Sequence, residues 1–247
     1  MHLLRYSHVK PSVNLALEEV LLSPFINNEN TEPLIRIWDN AEDCIVIGRA
    51  EEINKQVHLK LAKEKSIPVI RRTSGGGTVI HGKGNLNISF FLPYTYLAGL
   101  ENIKESYCLI LKWVIQAIEA CCEIKVTING TSDLVIGEKK ISGTAQSRKR
   151  HGLLHHLTLL WDLDFNLCSE LLREPNKRPD YRSHRTHADF ITTFKREKLS
   201  FTQDDFISAL CNQFENIKEF KIQSQQIVQA EELSDKKYDN PDWNEER

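Results

Sequence analysis

The 247-residue sequence has no apolar run near the roughly 20 residues a helix needs to cross a bilayer. Its opening stretch, Met1 to His8, lacks the apolar core of a signal peptide. A formal net charge of −2 leaves none of the basic excess that nucleic-acid binding uses. Cys44, Cys108, Cys121, Cys122, Cys168 and Cys211 never form a CxxC pair, so they read as buried thiols of a reducing compartment and not as a disulfide frame or zinc site. A GxSxG elbow, a Walker GxxxxGKS/T loop and a GxGxxG turn are all missing, and with them the common serine-hydrolase and nucleotide fingerprints. No internal repeat or low-complexity segment appears. What remains is an expectation of a cytoplasmic globular protein with neither a membrane nor a nucleic-acid partner, its 40% hydrophobic and 27% charged residues sufficing for one sizeable α/β domain.

Within that frame, Ser12 to Leu22 has helical spacing, with Ser12 as its cap. Leu34–Trp38 and Cys44–Gly48 read as two strands joined by a polar turn at Asp39–Glu42. A helix through Val57–Lys65 and a strand at Pro68–Arg72 lead into a glycine-rich segment, Thr73–Gly84, and then a strand at Leu86–Leu92. Lys104–Cys122 is the longest amphipathic helix. Strands return at Ile124–Ile128, Asp133–Ile136, Lys140–Ala145 and Leu153–Leu163, followed by helices at Asn166–Arg173 and Gln203–Phe214. Strands come in runs and hairpins instead of strict β-α-β alternation. The expectation is therefore α+β, a mixed, largely antiparallel central sheet with flanking helices. Residues 229–247 are polar and read as a solvated tail.

Two segments could carry chemistry. In Arg71-Arg72-Thr73-Ser74-Gly75-Gly76-Gly77-Thr78-Val79-Ile80-His81, three glycines permit φ > 0 and close ligand approach, their N–H groups can cradle an anion, and the two arginines could add bidentate donors. The plain alternative is a flexible surface turn. In Asp133 to Thr158, Lys140 precedes the small residues Ser142-Gly143-Thr144-Ala145, where an ammonium can stabilise charge developing on a carbonyl or phosphate oxygen; a solvated hairpin lysine is the alternative. His155 and His156 point to opposite faces of a strand, which argues against a shared metal and places one of them in the core or a cleft.

Taken in order along the chain, these segments resemble the biotin/lipoate protein ligase catalytic family, and within it the lipoate–protein ligases. The resemblance is carried by Asn14-Leu15-Ala16-Leu17-Glu18-Glu19, by Trp38 with Cys44-Ile45-Val46-Ile47-Gly48-Arg49, by the RRTSGGGTVIH run with Gly84-Asn85, by Asp133-Leu134 with Lys140-Ile141-Ser142-Gly143-Thr144-Ala145, and by His155-His156 with Thr158-Leu159-Leu160. Ser132 and Leu157 depart from the family's usual Asn and Gly. The GRGRxxR loop of biotin ligases is missing.

The resemblance implies a class II synthetase-like fold spanning residues 1–247 as one catalytic domain. It also implies activation of lipoate or octanoate by ATP and Mg²⁺ as an acyl-adenylate, followed by transfer to a lysine. The implied acceptor is a lipoyl domain of a 2-oxoacid dehydrogenase complex or a glycine cleavage H protein. Lys140 takes the catalytic role. Arg72, Ser74, Gly75, Gly76, Gly77, Val79, His81, Asn85, Asp133, Gly143, Thr144, Ala145, His156 and Trp38 line the substrate and adenylate, and Asp133 is the Mg²⁺ ligand. Lys237-Tyr238 and Asp242-Trp243-Asn244 resemble the stretch that closes the large domain of two-domain ligases. The small accessory domain is thus expected to be absent, its part falling to a separate protein. Two other readings stay open, namely an octanoyl or lipoyl transferase using a thioester or preformed acyl donor, and a non-catalytic lipoate- or acyl-adenylate-binding protein.

Overall fold

A computed structural model describes residues 1–28, 31–174, 180–182 and 185–247, without the side chains of residues 180 and 187. Its strands are β1 (His2–Arg5), β2 (Leu34–Trp38), β3 (Cys44–Ile47), β4 (Val69–Arg71), β5 (Val79–His81), β6 (Asn85–Pro93), β7 (Val126–Asn129), β8 (Asp133–Ile136), β9 (Lys139–Lys140), β10 (Ser142–Arg148), β11 (Gly152–Leu160) and β12 (Lys218–Glu219). Its helices are α1 (Pro11–Leu22), α2 (Ile53–Gln56), α3 (Leu59–Glu64), α4 (Ile103–Cys121), α5 (Phe165–Leu171), α6 (His187–Phe190), α7 (Gln203–Cys211), α8 (Ser224–Leu233) and α9 (Pro241–Asn244). Among the described residues no helix is long and apolar enough to cross a membrane.

The main sheet runs β10-β11-β6-β2-β1-β12. From β10 through β11 and β6 to β2 each strand is antiparallel to its neighbour, while β1 runs parallel to both β2 and β12. This is the mixed, largely antiparallel sheet with flanking helices that the strand pattern predicts. Two three-stranded sheets, β4-β3-β5 and β7-β8-β9, stand apart from it. The Asp39–Glu42 turn consequently does not close a hairpin: β2 belongs to the main sheet and β3 to a small one. Lys140 and Ser142 likewise divide between sheets, because the chain leaves the β8–β9 hairpin at Ile141 and enters the main sheet as β10.

Register decides what each face of the main sheet carries, since alternate residues point to opposite sides. One face presents Ile37, Ile88, Phe90, Leu92 and Leu153, which pack with Ile110, Leu111, Val114 and Ile118 of α4 and with Phe206 and Leu210 of α7. The four α4 residues recur at helical spacing on its buried side, and Asn102 caps the helix by accepting from the Glu105 N–H at 3.1 Å. The opposite face is apolar where α1 and α8 cover it, through Leu17, Leu21, Leu34, Phe91, Leu154 and Ala230. Beyond α1 it turns polar.

Two local readings change. Helix α1 begins with Pro11 at its first turn, and Ser12, instead of capping, is buried and accepts a hydrogen bond from Ser234 Oγ at 2.8 Å. Residues 229–247 are polar but not a free tail. After α8 the chain makes a π-helical turn, Ser234–Tyr238, and buries Tyr238 and Asn244. Tyr238 Oη donates to Glu19 at 2.7 Å, and Lys237 pairs with the same carboxylate at 2.7 Å.

Candidate active site

Two cross-strand rows build the polar half of the main sheet. Trp38, Asn87, Thr158 and Gly143 stand side by side on β2, β6, β11 and β10, and two residues along, Arg36, Ser89, His156 and Ala145 form the next row. Opposite them stand Val46 of β3 and Val79 and His81 of β5, with Leu15 of α1 at the side; these and the row residues other than Arg36 and Ser89 enclose a cavity of about 120 Å³. A second hollow of about 250 Å³ opens next to it, bordered by Asp133, Cys168, Arg173, Arg182, Phe190 and Ile191. The two share Gly77, Thr78, Val79, Lys140, Gly143 and Thr158 as common wall. Lys140 thus stands at the junction of two cavities, one walled by Leu15, Trp38, Val46 and Val79 together with Arg72, His81, Asn87 and His156, the other carrying Asp133, Arg173 and Arg182.

The Lys140 side chain is three-quarters buried, and its ammonium lies 2.7 Å from Asp133 Oδ1. Tyr181 Oη donates to the other oxygen of Asp133 at 2.7 Å. The lysine backbone is fixed by the Thr192 N–H, which donates to its carbonyl at 2.9 Å, and by the β8–β9 pairing. Burial, then the hydrogen bond from Tyr181 to Asp133, raises the Tyr181 pKa, keeping this phenol a donor. Tyr181 also packs on Phe190 at 5.3 Å, and the Arg182 and Arg185 guanidiniums lie over the Phe190 ring at 4.9 and 5.4 Å. Arg182 and Phe190 thereby border the second hollow.

The glycine loop is held from beneath. Gly76 has φ +88°, and a Cβ on Gly48 would lie 1.8 Å from the Gly76 carbonyl oxygen, so both positions require glycine. Arg72 is buried and gives its donors to the loop: Nε to Ser74 Oγ at 3.0 Å, Nη2 to the Gly75 and Gly77 carbonyls at 2.6 and 2.8 Å, and Nη1 to Val46 at 3.2 Å. Burial lowers its pKa to about 10, still well above neutral. Arg71 points away from the cavity and bonds the carbonyls of Gly48, Glu51, Trp243 and Asn244. The Trp243 indole donates back to the Arg71 carbonyl at 2.7 Å, and Arg49 lies over that ring at 4.3 Å. The C-terminal segment thereby clamps the strand that leads into the loop. Both arginines brace the backbone, Arg71 outside the first cavity and Arg72 within its wall.

His156 ties loop to helix. Its Nε2 is 2.7 Å from Ser74 Oγ and its Nδ1 2.8 Å from Glu18 Oε2. Ser89 donates to Glu18 Oε1 at 2.5 Å and accepts from the Trp38 indole at 2.9 Å. Burial alone would raise the Glu18 pKa, but His156, Ser89 and Arg36 outweigh it and hold the carboxyl below its ordinary value. One turn earlier, Asn14 accepts from Arg36 at 2.7 Å and donates to Asn40 at 2.9 Å. The polar positions of α1 are therefore anchors spaced by one helical turn. His155 sits on the far side of the sheet, against Tyr107 and Phe90. Burial lowers its pKa to about 3, and burial followed by the Arg72 charge does the same to His81. Both rings are neutral at physiological pH.

Of the residues singled out from sequence, Lys140, Trp38, Arg72, Gly77, Val79, His81, Gly143, Thr144, Ala145 and His156 line the first cavity, and Asp133 lines the second. Ser74 lies under the loop as a strut, and Gly75 and Gly76 are outside the lining. Asn85 is turned away: its Oδ1 accepts from the Gly82 N–H at 2.9 Å, and it borders a different hollow with Asp43 and Asp162. Leu15, Val46, Thr78, Asn87 and Thr158 are lining residues that sequence reasoning missed; the alternation of β6 and β11 carried that signal for Asn87 and Thr158. The cysteines are not uniformly buried: Cys108 is exposed, and Cys121, Cys122 and Cys211 are half-buried. Cys168 borders the second hollow, but burial, then Asp164 and Asp43, pushes its thiol up to about 12, far from a nucleophilic thiolate.

Residues 10–215 match the lipoyl protein ligase A/B catalytic domain family, and the chain belongs to it. Over 245 residues, 95% of this chain and 70% of the relative, it is 27% identical to the lipoate-protein ligase LplJ of Bacillus subtilis. Over 163 residues, 66% of this chain and 41% of the relative, it is 36% identical to the human mitochondrial lipoyl amidotransferase LIPT1. The matches therefore span only part of these relatives. Among solved structures, the bi-partite lipoate protein ligase of Thermoplasma acidophilum, described together with its E2 lipoyl domain, superposes with a TM-score of 0.84 at 24% identity, covering 99% of this chain and 95% of the other. That likeness establishes a shared fold.

Proposed function

We propose that the protein activates lipoate, or octanoate, with ATP as an acyl-adenylate and transfers the acyl group to a lysine of a lipoyl domain. The observation that carries this reading is the place of Lys140, whose ammonium borders both hollows at their common wall. The first cavity, with Leu15, Trp38, Val46 and Val79 in its wall, suits an acyl chain, and the second, with Arg173 and Arg182, a nucleotide, so their junction is where a mixed anhydride would lie. In the first step a carboxylate oxygen of the acid attacks the α-phosphorus of ATP and pyrophosphate leaves. In the second, the acceptor's ε-amine attacks the acyl carbonyl, the bond to phosphate breaks, AMP leaves and the amine loses a proton. In both steps an ammonium at the junction opposes negative charge growing on carbonyl and phosphate oxygens, and the braced glycine loop holds the reactants in position. No enzyme thioester is invoked, in keeping with the high pKa of Cys168.

Thr78 Oγ1 and Asn87 Nδ2, both at the cavity wall, are buried polar atoms with no partner among the described residues, which fits a polar ligand. Mg²⁺ is held elsewhere in proteins by one or two carboxylates together with substrate phosphates. Asp133 is the carboxylate that fits that role here, and the ion would supply charge neutralisation for the departing pyrophosphate. The similarity to LIPT1 favours one alternative, transfer of a preformed lipoyl group without ATP. Incubating the protein with lipoate, Mg²⁺ and an apo lipoyl domain, with and without ATP, and in parallel with preformed lipoyl-AMP in place of lipoate and ATP, separates the two by intact mass. A mass gain on the acceptor only with ATP supports the ligase. A gain from lipoyl-AMP alone supports the transferase, and no gain from either donor refutes both.

A further inference from the structure

Asn87 lies in the middle of the cavity row, between Trp38 and Thr158, and is 2% exposed. It ends a directed chain of hydrogen bonds. Thr158 Oγ1 donates to Asn87 Oδ1 at 2.7 Å. Having given away its only proton, Thr158 must accept from His81 Nε2, 3.1 Å away. The neutral His81 ring then accepts at Nδ1 from Asn40 Nδ2 at 3.4 Å. Every bond points toward Asn87, which fixes its amide with the oxygen used and the two N–H groups of Nδ2 left over. No acceptor meets Nδ2 among the described residues. The cavity wall it faces combines Leu15, Val46, Val79 and Trp38 with Arg72, Thr78, His81 and His156.

We infer that Asn87 is a specificity-determining residue of this cavity, its amide donating to an acceptor carried on the bound acyl chain, so that a dithiolane-ended chain is favoured over a saturated alkyl one. The inference rests on the reading of this hollow as the acyl site. A disulfide sulfur is a weak acceptor and a polarizable neighbour for the Trp38 and His81 rings, whereas a methyl end offers neither property and leaves the amide unpaired. Sites with a buried donor reject analogues that lack its partner. Because sulfur accepts weakly, the expected preference of lipoate over octanoate is about tenfold, well below the discrimination achieved with a hydroxyl partner.

The test measures equilibrium binding of lipoate and octanoate by calorimetry, and kcat/KM for their ATP-dependent transfer, in the full chain and in Asn87→Leu. The unsubstituted protein should prefer lipoate, and Asn87→Leu should lose most of that preference, chiefly by gaining octanoate. Asn87→Val removes the same amide with less bulk and serves if the leucine is not accommodated. An unsubstituted protein that binds both acids equally overturns the inference, as does a folded variant with an unchanged ratio or an equal loss for both acids. If the unsubstituted protein takes neither acid, the acyl reading of the cavity fails first and the inference falls with it.

Discussion

On β11, His155 and His156 are consecutive and point through opposite faces of one sheet. Behind the sheet, His155 is enclosed by Phe90 and Tyr107 and receives one hydrogen bond, from Gln146 Nε2 at 3.0 Å, while its Nε2 finds no partner among the described residues. In front, His156 bridges Glu18 and Ser74 and so connects the first helix to the glycine loop. The same side chain serves packing on one face and loop placement on the other. The two faces as a whole divide in the same way, with Ile88 and Phe90 toward α4 and Asn87 and Ser89 toward the cavity. Substitutions behind the sheet should cost stability with little effect on turnover per folded molecule, and substitutions in front the reverse.

The sharpest contrast comes from Gly48→Ala and Phe90→Ala. A Cβ at position 48 collides with the Gly76 carbonyl, so the loop must move by an ångström or more; acyl transfer should fall on the order of a hundredfold or beyond, with the thermal midpoint little changed. Activity close to that of the parent would mean the loop tolerates displacement and does not position the reactants. Phe90→Ala empties a fully buried site and should lower unfolding free energy by about 3–5 kcal/mol in urea titration while sparing kcat of the folded fraction. A kcat loss as large as that of Gly48→Ala would erase the distinction between the faces.

A smaller effect is expected from pH. His81 and His155 have folded pKa values of about 3, below the roughly 6.5 of an unfolded histidine, so the unfolded chain takes up protons first as pH falls. Their contribution is complete above about pH 6.5 and is lost progressively toward pH 3. Between about pH 7 and 5.5 the pair should cost about 2 kcal/mol of stability. His155→Phe should remove roughly half of that dependence, about 1 kcal/mol, leaving transfer at pH 7 intact. An unchanged pH slope in that variant would mean His155 is solvated or charged in the folded protein.

Much of the site was legible in residue order. The RRTSGGGTVIH run, Lys140 with its small neighbours, and the opposed histidines all reach the positions their patterns suggest, because close backbone approach and strand alternation are local properties. What could not be read depends on pairing between distant segments. Asn87 and Thr158 become neighbours only through the β6–β11 register, and β2 and β3, joined by a hairpin-like turn, part into separate sheets. Residue order also does not show that Arg71 and Arg72 bond the distant or loop carbonyls of Trp243, Asn244, Gly75 and Gly77. The polar composition of residues 229–247 conceals Tyr238 and Trp243, whose partners Glu19 and Arg71 lie some two hundred positions away or nearly so.

The most direct test concerns the ammonium at the junction. In Lys140→Ala, single-turnover transfer of lipoate to an apo lipoyl domain, with ATP and Mg²⁺ saturating, should drop at least about a hundredfold while circular dichroism and the thermal midpoint stay those of the parent. A folded Lys140→Ala protein that transfers at the parental rate would contradict the account, because charge stabilisation at the meeting point of the two hollows would then have to come from some other group.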